Sequence, residues 1–347
     1  MSSSEKAPQS ELRQGRRCSS RRSIVLVAVF AVLSVLSISL WSAASYDSLR
    51  DLRALRPAML PNGSSAHDEV PSDASSDFLS RALLSSIADS RGLIILTTVN
   101  CGMVDFAVNW ARSIQRQGIK SFLIICYDDK CMEILTQVFP HNVARAPPEK
   151  QISSAATKWL DKNFISLCKE RPYFFREILL RGFSVLFNDV DMVWRKNVVN
   201  HLGNGKRIVL QLDNPHAHHF CGCFQYFPVA PESFMLIQEW ERQMQREEMQ
   251  RKDYGDQEGL NRAVKEMQRN FTVHVLPQKL FPSGRGFFGV ARPHPSERLT
   301  PEERQQVVAV HANWIIGRER KKAQLEKYGL WLLSAEEDSF SPKFCVK

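Results

Sequence analysis

Apolar strands and amphipathic helices alternate along the middle of the chain, and this alternation constrains the fold more than any other feature. "GLIILTTVN" (92–100) is a β-branched run that ends in polar residues, as a buried parallel strand does. "MVDFAVNWARSIQRQG" (103–118) has apolar residues at helical spacing, and "SFLIICYDD" (121–129) is another apolar strand. Repeated βα units predict an α/β domain with a mostly parallel, doubly wound sheet and helices on both faces.

The same alternation continues further along the chain. A helical segment (174–182) leads into the strand "FSVLFNDVDMVW" (183–194), a further strand covers 207–213, and a highly charged helix covers 234–252. In such a sheet, ligands bind beyond the carboxyl ends of the strands. The sequence has neither an internal repeat nor a Gly-rich dinucleotide fingerprint.

Two carboxylates, Asp189 and Asp191, interrupt the apolar run "VLFNDVDMVW" (185–194). If the backbone stays extended, both side chains lie on one face, where two unpaired anions repel each other and are costly to bury. A hard divalent ion, Mn²⁺ or Mg²⁺, would join them and could also bind a diphosphate. The competing interpretation is structural: Asp189 caps a turn, and Asp191 pairs with Arg195 or Lys196.

The N-terminal region contains an uncharged apolar segment (23–44) which, at about 1.5 Å per residue, is long enough to cross a bilayer as a helix. Six basic side chains precede it and three follow it closely, which predicts a cytoplasmic N-terminus and a lumenal bulk. A cleaved secretory signal is the alternative, but the apolar stretch is long for one and follows a polar leader. We predict a cytoplasmic tail (1–22), a signal-anchor helix (23–44), a flexible lumenal stem (45–90) and a folded domain (91–347).

The formal charge of +9 does not indicate a nucleic-acid-binding protein. Six basic and two acidic side chains in residues 1–22 account for +4, which leaves +5 for the remaining residues. That excess is spread without a basic stripe and favours solubility or anionic small ligands over a duplex.

The chain has eight cysteines, and seven of them follow the apolar segment. An oxidising lumen permits disulfides, and an odd number leaves at least one thiol free or paired with another molecule. Sequons at Asn62 and Asn270 agree with a lumenal location. The seven are Cys101, Cys126, Cys131, Cys168, Cys221, Cys223 and Cys345.

The segment "DNPHAHHFCGCF" (213–224) raises a second metal-site hypothesis, because it contains five possible zinc ligands. Their spacing matches none of the usual zinc modules, and a continuous extended segment does not easily wrap a tetrahedral ion. We therefore do not favour zinc. The five ligands are His216, His218, His219, Cys221 and Cys223.

Five blocks of the sequence resemble one family. "LLRGFSVLFNDVDMVWRKN", around the two aspartates, is similar to the metal-binding strand of the nucleotide-diphospho-sugar transferase family, which includes plant rhamnogalacturonan-II xylosyltransferases and related galactosyl and arabinosyl transferases. The other blocks follow in the family's order and extend the resemblance over about residues 92–330. They are "TTVNCGMVDFAVNWARSI", "DQEGLN" (256–261), "FPSGRGFF" (281–288) and "VHANWIIGRERKK" (310–322).

The resemblance implies a GT-A fold and a metal site for Mn²⁺ or Mg²⁺. Asp191 matches the principal metal ligand, Asp189 contacts the donor ribose or the ion, and His311 completes the site. Gly317 and Lys321 match a loop that faces the donor diphosphate. The chemistry agrees, since Mn²⁺ tolerates one imidazole among oxygen ligands and a lysine neutralises phosphate charge. A hydrogen-bonded histidine and a solvated lysine are the competing interpretations.

The resemblance also implies donor-binding roles for residues outside the metal site. Thr97, Thr98 and Asn100 match the segment that meets the nucleotide base and ribose, although Asn100 could instead cap the next helix. Arg176 could reach the donor phosphate or sugar, and could equally be an exposed helix arginine.

Three residues match positions at the reacting centre. Asp256 and Gln257 face the donor sugar and the acceptor, and Asp213 lies near the donor sugar; Asp256 also suits a helix N-cap. The segment 213–224 would then line the acceptor side, where Gly222 permits close backbone approach. The doubled cysteine departs from the family pattern and could instead supply a disulfide. Enzymes of the family retain anomeric configuration by a front-side displacement, which would explain why the sequence shows no paired general acid and nucleophile.

These inferences predict a single-pass type II Golgi glycoprotein that transfers xylose, galactose or arabinose from a nucleotide donor, most simply a UDP-sugar, to a glycan or glycoprotein. A secreted enzyme with the same chemistry is one alternative. A catalytically inactive glycan-binding module on the same fold is another, and donor hydrolysis with Mn²⁺ would distinguish it.

Overall fold

The computed structural model describes residues 77–151, 162–214, 218–246, 255–269, 271–338 and 345, all within the unit that extends from Asp73 to Lys347. The predicted tail, apolar segment and most of the stem lie outside the described residues, as do Asn62, Asn270 and His216. Among the described residues, no helix has the length and apolar character needed to span a bilayer.

A seven-stranded mixed sheet forms the centre of the fold, in the order β3-β2-β1-β4-β7-β6-β8. Neighbours from β3 to β4 are parallel, β6 and β8 are parallel, and β7 is antiparallel to both β4 and β6. The prediction of an α/β domain with a mostly parallel sheet is therefore confirmed. The strands are β1 Leu93–Val99, β2 Phe122–Cys126, β3 Val143–Arg145, β4 Ser184–Asn188, β5 Met192–Trp194, β6 Val209–Asn214, β7 His219–Phe227, β8 His274–Val275 and β9 Ala309–His311.

Helices pack on both faces of this sheet. The α-helices of the described ranges are α1 Arg81–Ile87, α2 Val104–Gln115, α3 Asp129–Val138, α4 Lys162–Lys169, α5 Arg171–Leu180, α6 Pro231–Met244, α7 Asp256–Met267, α8 Gly284–Phe288, α9 Pro301–Gln306, α10 Arg318–Lys327 and α11 Ala335–Asp338. Alternate residues of β1 enter two different cores: Ile95 packs with Trp110 of α2, and Ile94 packs with Phe174 of α5. Burial of such side chains contributes about 1.5–3 kcal/mol each, so both faces stabilise the sheet.

The fold begins earlier than the predicted boundary at residue 90. Helix α1 lies in the region assigned to the stem, and its Leu84 and Ile87 are buried in the core that contains Phe174. Ser80 caps this helix by accepting a hydrogen bond from the backbone N–H of Leu83. The flexible-stem prediction is therefore wrong for residues 77–90, because three apolar side chains in this segment are buried against the sheet.

The charged helix predicted for 234–252 begins three residues earlier, since Pro231 occupies its first turn, and α6 ends at Met244. Residues 247–254 lie outside the described ranges. The strand predicted through the two aspartates is also divided: β4 ends at Asn188, and β5 begins at Met192. This division creates the candidate site.

Candidate active site

Asp189, Val190 and Asp191 form a turn at the carboxyl end of β4. The backbone N–H of Met192 donates to the carbonyl of Asp189 at 3.0 Å, and the N–H of Asp189 donates to the carbonyl of Cys223 on β7 at 2.8 Å. The extended backbone assumed from the sequence is thus not observed, because hydrogen bonding closes a turn between β4 and β5. The turn still brings the two carboxylates together at the predicted edge of the sheet.

His311 joins these carboxylates through the two-stranded ladder of β5 and β9. The ladder is antiparallel, and its register pairs Met192 with His311. Nε2 of His311 lies 3.1 Å from Oδ1 of Asp191 and 3.5 Å from Oδ2 of Asp189. One ligand atom from each of the three residues lies within 4.8 Å of the other two. Two carboxylates and one imidazole at this spacing fit a divalent ion such as Mn²⁺.

Lys321 supplies a positive charge directly beside this group. Its ammonium contacts Oδ2 of Asp191, and its backbone N–H bonds to the carbonyl of Gly317, which adopts a positive φ of 93° before α10. Asp191 is buried, and burial alone would raise its pKa; Lys321 and His311 nevertheless hold the pKa of this carboxyl well below its usual range. Asp191 is therefore ionised and able to bind a cation at neutral pH.

Arg171 is the residue of this site that the sequence analysis missed. One terminal nitrogen of its guanidinium lies 2.6 Å from Oδ1 of Asp189, and the other lies 2.8 Å from Oδ2 of Asp256 and 2.9 Å from the carbonyl oxygen of Gly222. The group also stacks over Phe187 at 4.8 Å. A buried arginine between two carboxylates makes strong charge-assisted hydrogen bonds and fixes their positions.

The structure does not bring Arg176 to this site. Its Nη1 lies 2.8 Å and 2.7 Å from the two carboxylate oxygens of Glu241 on α6, and its guanidinium stacks over Tyr173. Five residues of helix turn the side chain about 140° away from that of Arg171. Arg171 thus occupies the place that the sequence analysis gave to Arg176.

Asp256 is the first residue of α7, one position after the N-cap. Gly255 takes the cap position, so the N-cap interpretation of Asp256 is wrong, and its carboxylate turns to Arg171. The side chain is buried, and burial is the largest cause that raises its pKa to about 6. The negative charge of Asp189 adds to this rise, and Arg171 opposes it.

Gln257 and Asp213 continue the polar network beyond Asp256. Oε1 of Gln257 accepts the backbone N–H of Gly222 at 2.9 Å, and Nε2 lies 3.4 Å from Oδ2 of Asp213. A Cβ at position 222 would lie 3.1 Å from Oδ2 of Asp256 and 3.3 Å from Nη1 of Arg171. The absence of a side chain at Gly222 therefore lets Arg171 and Asp256 lie close to the backbone of β7, and its role towards an acceptor stays a prediction.

The predicted residues of β1 lie beside the end of β4, since the parallel register pairs Leu96 with Phe187. Thr97 is fully buried, and its hydroxyl finds no hydrogen-bond partner among the described residues. Asn100 is also buried and precedes a short 3₁₀ helix, but its side chain does not cap that helix. The nucleotide-binding role of these two residues and of Thr98 stays a prediction.

The cysteines of the "CGC" sequence form a disulfide, as the sequence analysis suggested, and do not act as free thiolates. Cys221, Cys223 and His311 lie close enough together to suggest a ligand group. Zinc would require thiolates, and the two sulfurs are bonded to each other, so the zinc hypothesis gains no support. His219 hydrogen-bonds Gln257 at 3.3 Å, and His218 is exposed.

A second disulfide joins Cys101 to Cys345, across 244 residues. Among the described cysteines, three buried thiols remain free, which confirms the expectation of at least one unpaired cysteine after the apolar segment. They are Cys126, Cys131 and Cys168.

Comparisons with known proteins identify the family of this chain. A family model described as nucleotide-diphospho-sugar transferase matches residues 117–325. UDP-D-xylose:L-fucose alpha-1,3-D-xylosyltransferase 3 of Arabidopsis thaliana is 27% identical over 300 residues, covering 79% of this chain and 76% of that protein. UDP-galactose:fucoside alpha-3-galactosyltransferase of Dictyostelium discoideum is 22% identical over 291 residues, covering 70% of this chain and 43% of that protein. Arabinosyltransferase XEG113 of Arabidopsis thaliana is 22% identical over 268 residues, covering 68% of this chain and 39% of that protein.

Proposed function

Since the chain belongs to the nucleotide-diphospho-sugar transferase family and is a nucleotide-sugar-dependent glycosyltransferase, we propose that it is a metal-dependent enzyme that transfers a pentose or hexose from a UDP-sugar to a glycan. The predicted family resemblance is confirmed by the match over residues 117–325. The observation that carries the proposal is the convergence of Asp189, Asp191 and His311 at the carboxyl end of β4.

We assign the domain to the GT-A class. The parallel order β3-β2-β1-β4, the antiparallel β7 and the aspartate turn after β4 support this assignment. The sheet places the turn at the carboxyl ends of the parallel strands, where α/β sheets bind their ligands.

The metal site would use oxygen from Asp189 and Asp191 and nitrogen from His311. This donor set suits Mn²⁺ better than Mg²⁺, because Mg²⁺ seldom accepts an imidazole. When bound, the ion would neutralise charge on the donor diphosphate. Lys321 contacts Asp191 and would lie ready to pair with the departing phosphate.

Arg171, Asp256 and Gln257 would position the donor sugar. Arg171 fixes Asp189 on one side and Asp256 on the other, so the metal ligands and the sugar-facing carboxylate share one rigid connection. Asp256 and Gln257 are hydrogen-bond acceptors and donors of the kind that hold sugar hydroxyls.

We propose retention of anomeric configuration by front-side displacement. Among the described residues of the site, the carboxylates are already occupied: Asp256 pairs with Arg171, and Asp213 accepts hydrogen bonds from Asn313 and Trp314. We propose that these contacts hold both carboxylates as positioning groups rather than as nucleophiles. The leaving diphosphate would instead accept the proton of the attacking hydroxyl.

The names of the relatives suggest the substrates. Relatives in both organisms act on L-fucose or a fucoside, with UDP-xylose or UDP-galactose as donor, and another relative is an arabinosyltransferase. We therefore propose that the acceptor is a glycan that ends in fucose and that the donor is UDP-xylose, UDP-galactose or a UDP-arabinose.

The proposed location is the Golgi membrane, with a type II orientation and a lumenal catalytic domain. The apolar segment 23–44 and the basic residues before it support a membrane anchor. Two disulfides support an oxidising compartment.

The test is donor hydrolysis by the full-length protein. The protein would be incubated with UDP-xylose, UDP-galactose, UDP-arabinose and UDP-glucose, with Mn²⁺ or with a chelator, and free UDP would be measured. Metal-dependent release from one donor is expected. An inactive glycan-binding module on the same fold would release no UDP from any donor, and that result would reject the proposal.

A further inference from the structure

Trp314 is an exposed aromatic residue for which the proposed function gives no substrate-binding role. Its side chain is 42% exposed, although large aromatic residues usually lie buried. Its backbone has a positive φ of 61°, a conformation that costs a non-glycine residue free energy and therefore marks a constrained position. A strained backbone that presents an exposed indole points to function rather than to packing.

Polar contacts hold this indole at the edge of the candidate site. Nε1 of Trp314 donates to Oδ1 of Asp213 at 3.1 Å. The guanidinium of Arg285 lies 4.3 Å from the ring centre, and Arg285 is held by the buried Glu297 at 2.8 Å. One edge and one face of the ring are therefore fixed, while much of the side chain still faces solvent.

The loop that carries Trp314 is packed directly against the start of α8. A Cβ on Gly284 would lie 2.2 Å from the carbonyl oxygen of Asn313 and 2.6 Å from that of His311, so only glycine fits there. Because His311 belongs to the candidate metal site, the same backbone contact fixes the position of the indole relative to that site.

A second exposed apolar residue lies on the same loop. Ile316, two residues after Trp314, is 66% exposed, and both lie between β9 and α10. The network from Trp314 through Asp213 to Gln257 leads back to the residues that face the donor sugar. An exposed apolar surface with polar anchors beside a catalytic cluster is typical of a substrate-binding surface.

We propose that the open face of Trp314 is the platform on which the acceptor sugar stacks, and that it selects a 6-deoxyhexose such as fucose. This inference rests on the proposed glycosyltransferase function. A galacto-configured 6-deoxyhexose presents the C–H groups of C3, C4 and C5 and its methyl group on one side, which forms an apolar patch of ring size. An indole buries such a patch well, and its rigid position costs little entropy on binding. Asp213 then acts as a positioning residue for the indole.

The test compares donor hydrolysis with sugar transfer in the full-length protein. Hydrolysis of the preferred UDP-sugar is measured without acceptor, and transfer is measured to methyl α-L-fucopyranoside. Trp314→Ala is expected to raise the acceptor KM by about tenfold or more and to leave donor hydrolysis within about twofold. Trp314→Phe keeps an aromatic face and is expected to recover most of the acceptor affinity. Leu180→Ala removes another exposed apolar side chain, on α5, and is expected to change neither reaction.

Saturation-transfer NMR on the wild-type protein gives an independent measurement. The methyl protons and H3, H4 and H5 of the fucoside should receive the strongest saturation, and Trp314→Ala should remove it. Equal loss of hydrolysis and transfer in Trp314→Ala would overturn the inference, because it would assign the indole to the donor or to stability.

The inference and the proposed function fail in different ways. A wild-type protein that hydrolyses a UDP-sugar but neither transfers to the fucoside nor saturates its methyl group would overturn the acceptor platform alone. A protein that hydrolyses no donor would reject the proposed function, and the saturation measurement would still decide whether the fucoside binds at Trp314.

Discussion

Nε2 of His311 lies 3.1 Å from Oδ1 of Asp191, although 120 residues separate them in the chain. The antiparallel register of β5 and β9, which pairs Met192 with His311, produces this contact. The two-stranded sheet of β5 and β9 therefore adds His311 to the two aspartates after β4 and completes the candidate metal site.

Asp191→Asn is expected to abolish most metal-dependent donor hydrolysis. The amide removes one negative charge from the ligand group and also breaks the pair with Lys321, so the loss should be at least about a hundredfold at moderate Mn²⁺ concentration. The measurement is UDP release as a function of Mn²⁺. Asp129→Asn is the matched control, because the side chain of Asp129 is 74% exposed on α3. Unchanged Mn²⁺ dependence in Asp191→Asn would remove this aspartate from the metal site.

Two arginines of α5 allow a residue of the candidate site to be compared with one outside it. Arg171→Ala leaves Asp189 and Asp256 without their shared cation, and we expect activity to fall by about a hundredfold or more because both carboxylates lose their fixed positions. Arg176→Ala breaks a partly exposed pair with Glu241 and a stack on Tyr173, both away from the site, and should cost less than about threefold. Steady-state rates with the preferred UDP-sugar, together with circular dichroism of both variants, test this. Similar losses in the two variants would argue against a special role for Arg171.

The raised pKa of Asp256 predicts that the free energy of unfolding depends on pH. Its pKa in the folded protein is raised to about 6, so between pH 4 and pH 6 the folded chain keeps a proton that the unfolded chain has released. This group therefore stabilises the fold at low pH, and its contribution is lost as the pH rises through 6. Relative to Asp256→Asn, wild-type protein should lose about 2 kcal/mol of unfolding free energy between pH 4.5 and pH 7.5. Urea unfolding at both values measures this, and parallel pH profiles would mean that the carboxyl has an ordinary pKa.

The sheet and the pair of aspartates at the end of β4 could be predicted because their signals are local. A continuous β-branched apolar run identifies β1, helical spacing of apolar residues identifies α2, and carboxylates in an apolar run are conspicuous. The turn between Asp189 and Asp191 could not be predicted, because the apolar residues on both sides read as one strand. Helix α1 was missed since its seven residues are too few to show a period.

Arg171 could not be found from its own surroundings in the sequence. It reads as an ordinary arginine before Pro172 at a helix start, and its carboxylate partners follow 18 and 85 residues later. His311 has the same difficulty, since its partner strand is distant in sequence, and it was identified only through the family resemblance. Contacts made by strand pairing at long range leave no local pattern, so only the fold reveals them.

The disulfide between Cys101 and Cys345 should stabilise the domain. It joins the end of β1 to the C-terminal region across 244 residues, and a cross-link over so long a segment restricts the unfolded chain strongly. Replacing both cysteines with serine should lower the unfolding free energy by about 2–4 kcal/mol. Urea unfolding of oxidised wild-type and double-variant protein tests this. No difference between them would show that the bridge is absent or energetically neutral.

Gly222→Ala should impair the enzyme through a single methyl group. The new Cβ would lie 3.1 Å from Oδ2 of Asp256 and 3.3 Å from Nη1 of Arg171, closer than most carbon contacts, so the ion pair must shift. We expect a loss of activity of about tenfold with little change in the unfolding free energy. Gly255→Ala is the matched control, because among the described residues its Cβ would meet only Oε2 of Glu258 at an ordinary 3.7 Å. Transfer rates measured at saturating Mn²⁺ compare the two variants. Full activity in Gly222→Ala would mean that the position of the Arg171 to Asp256 pair is not critical for transfer.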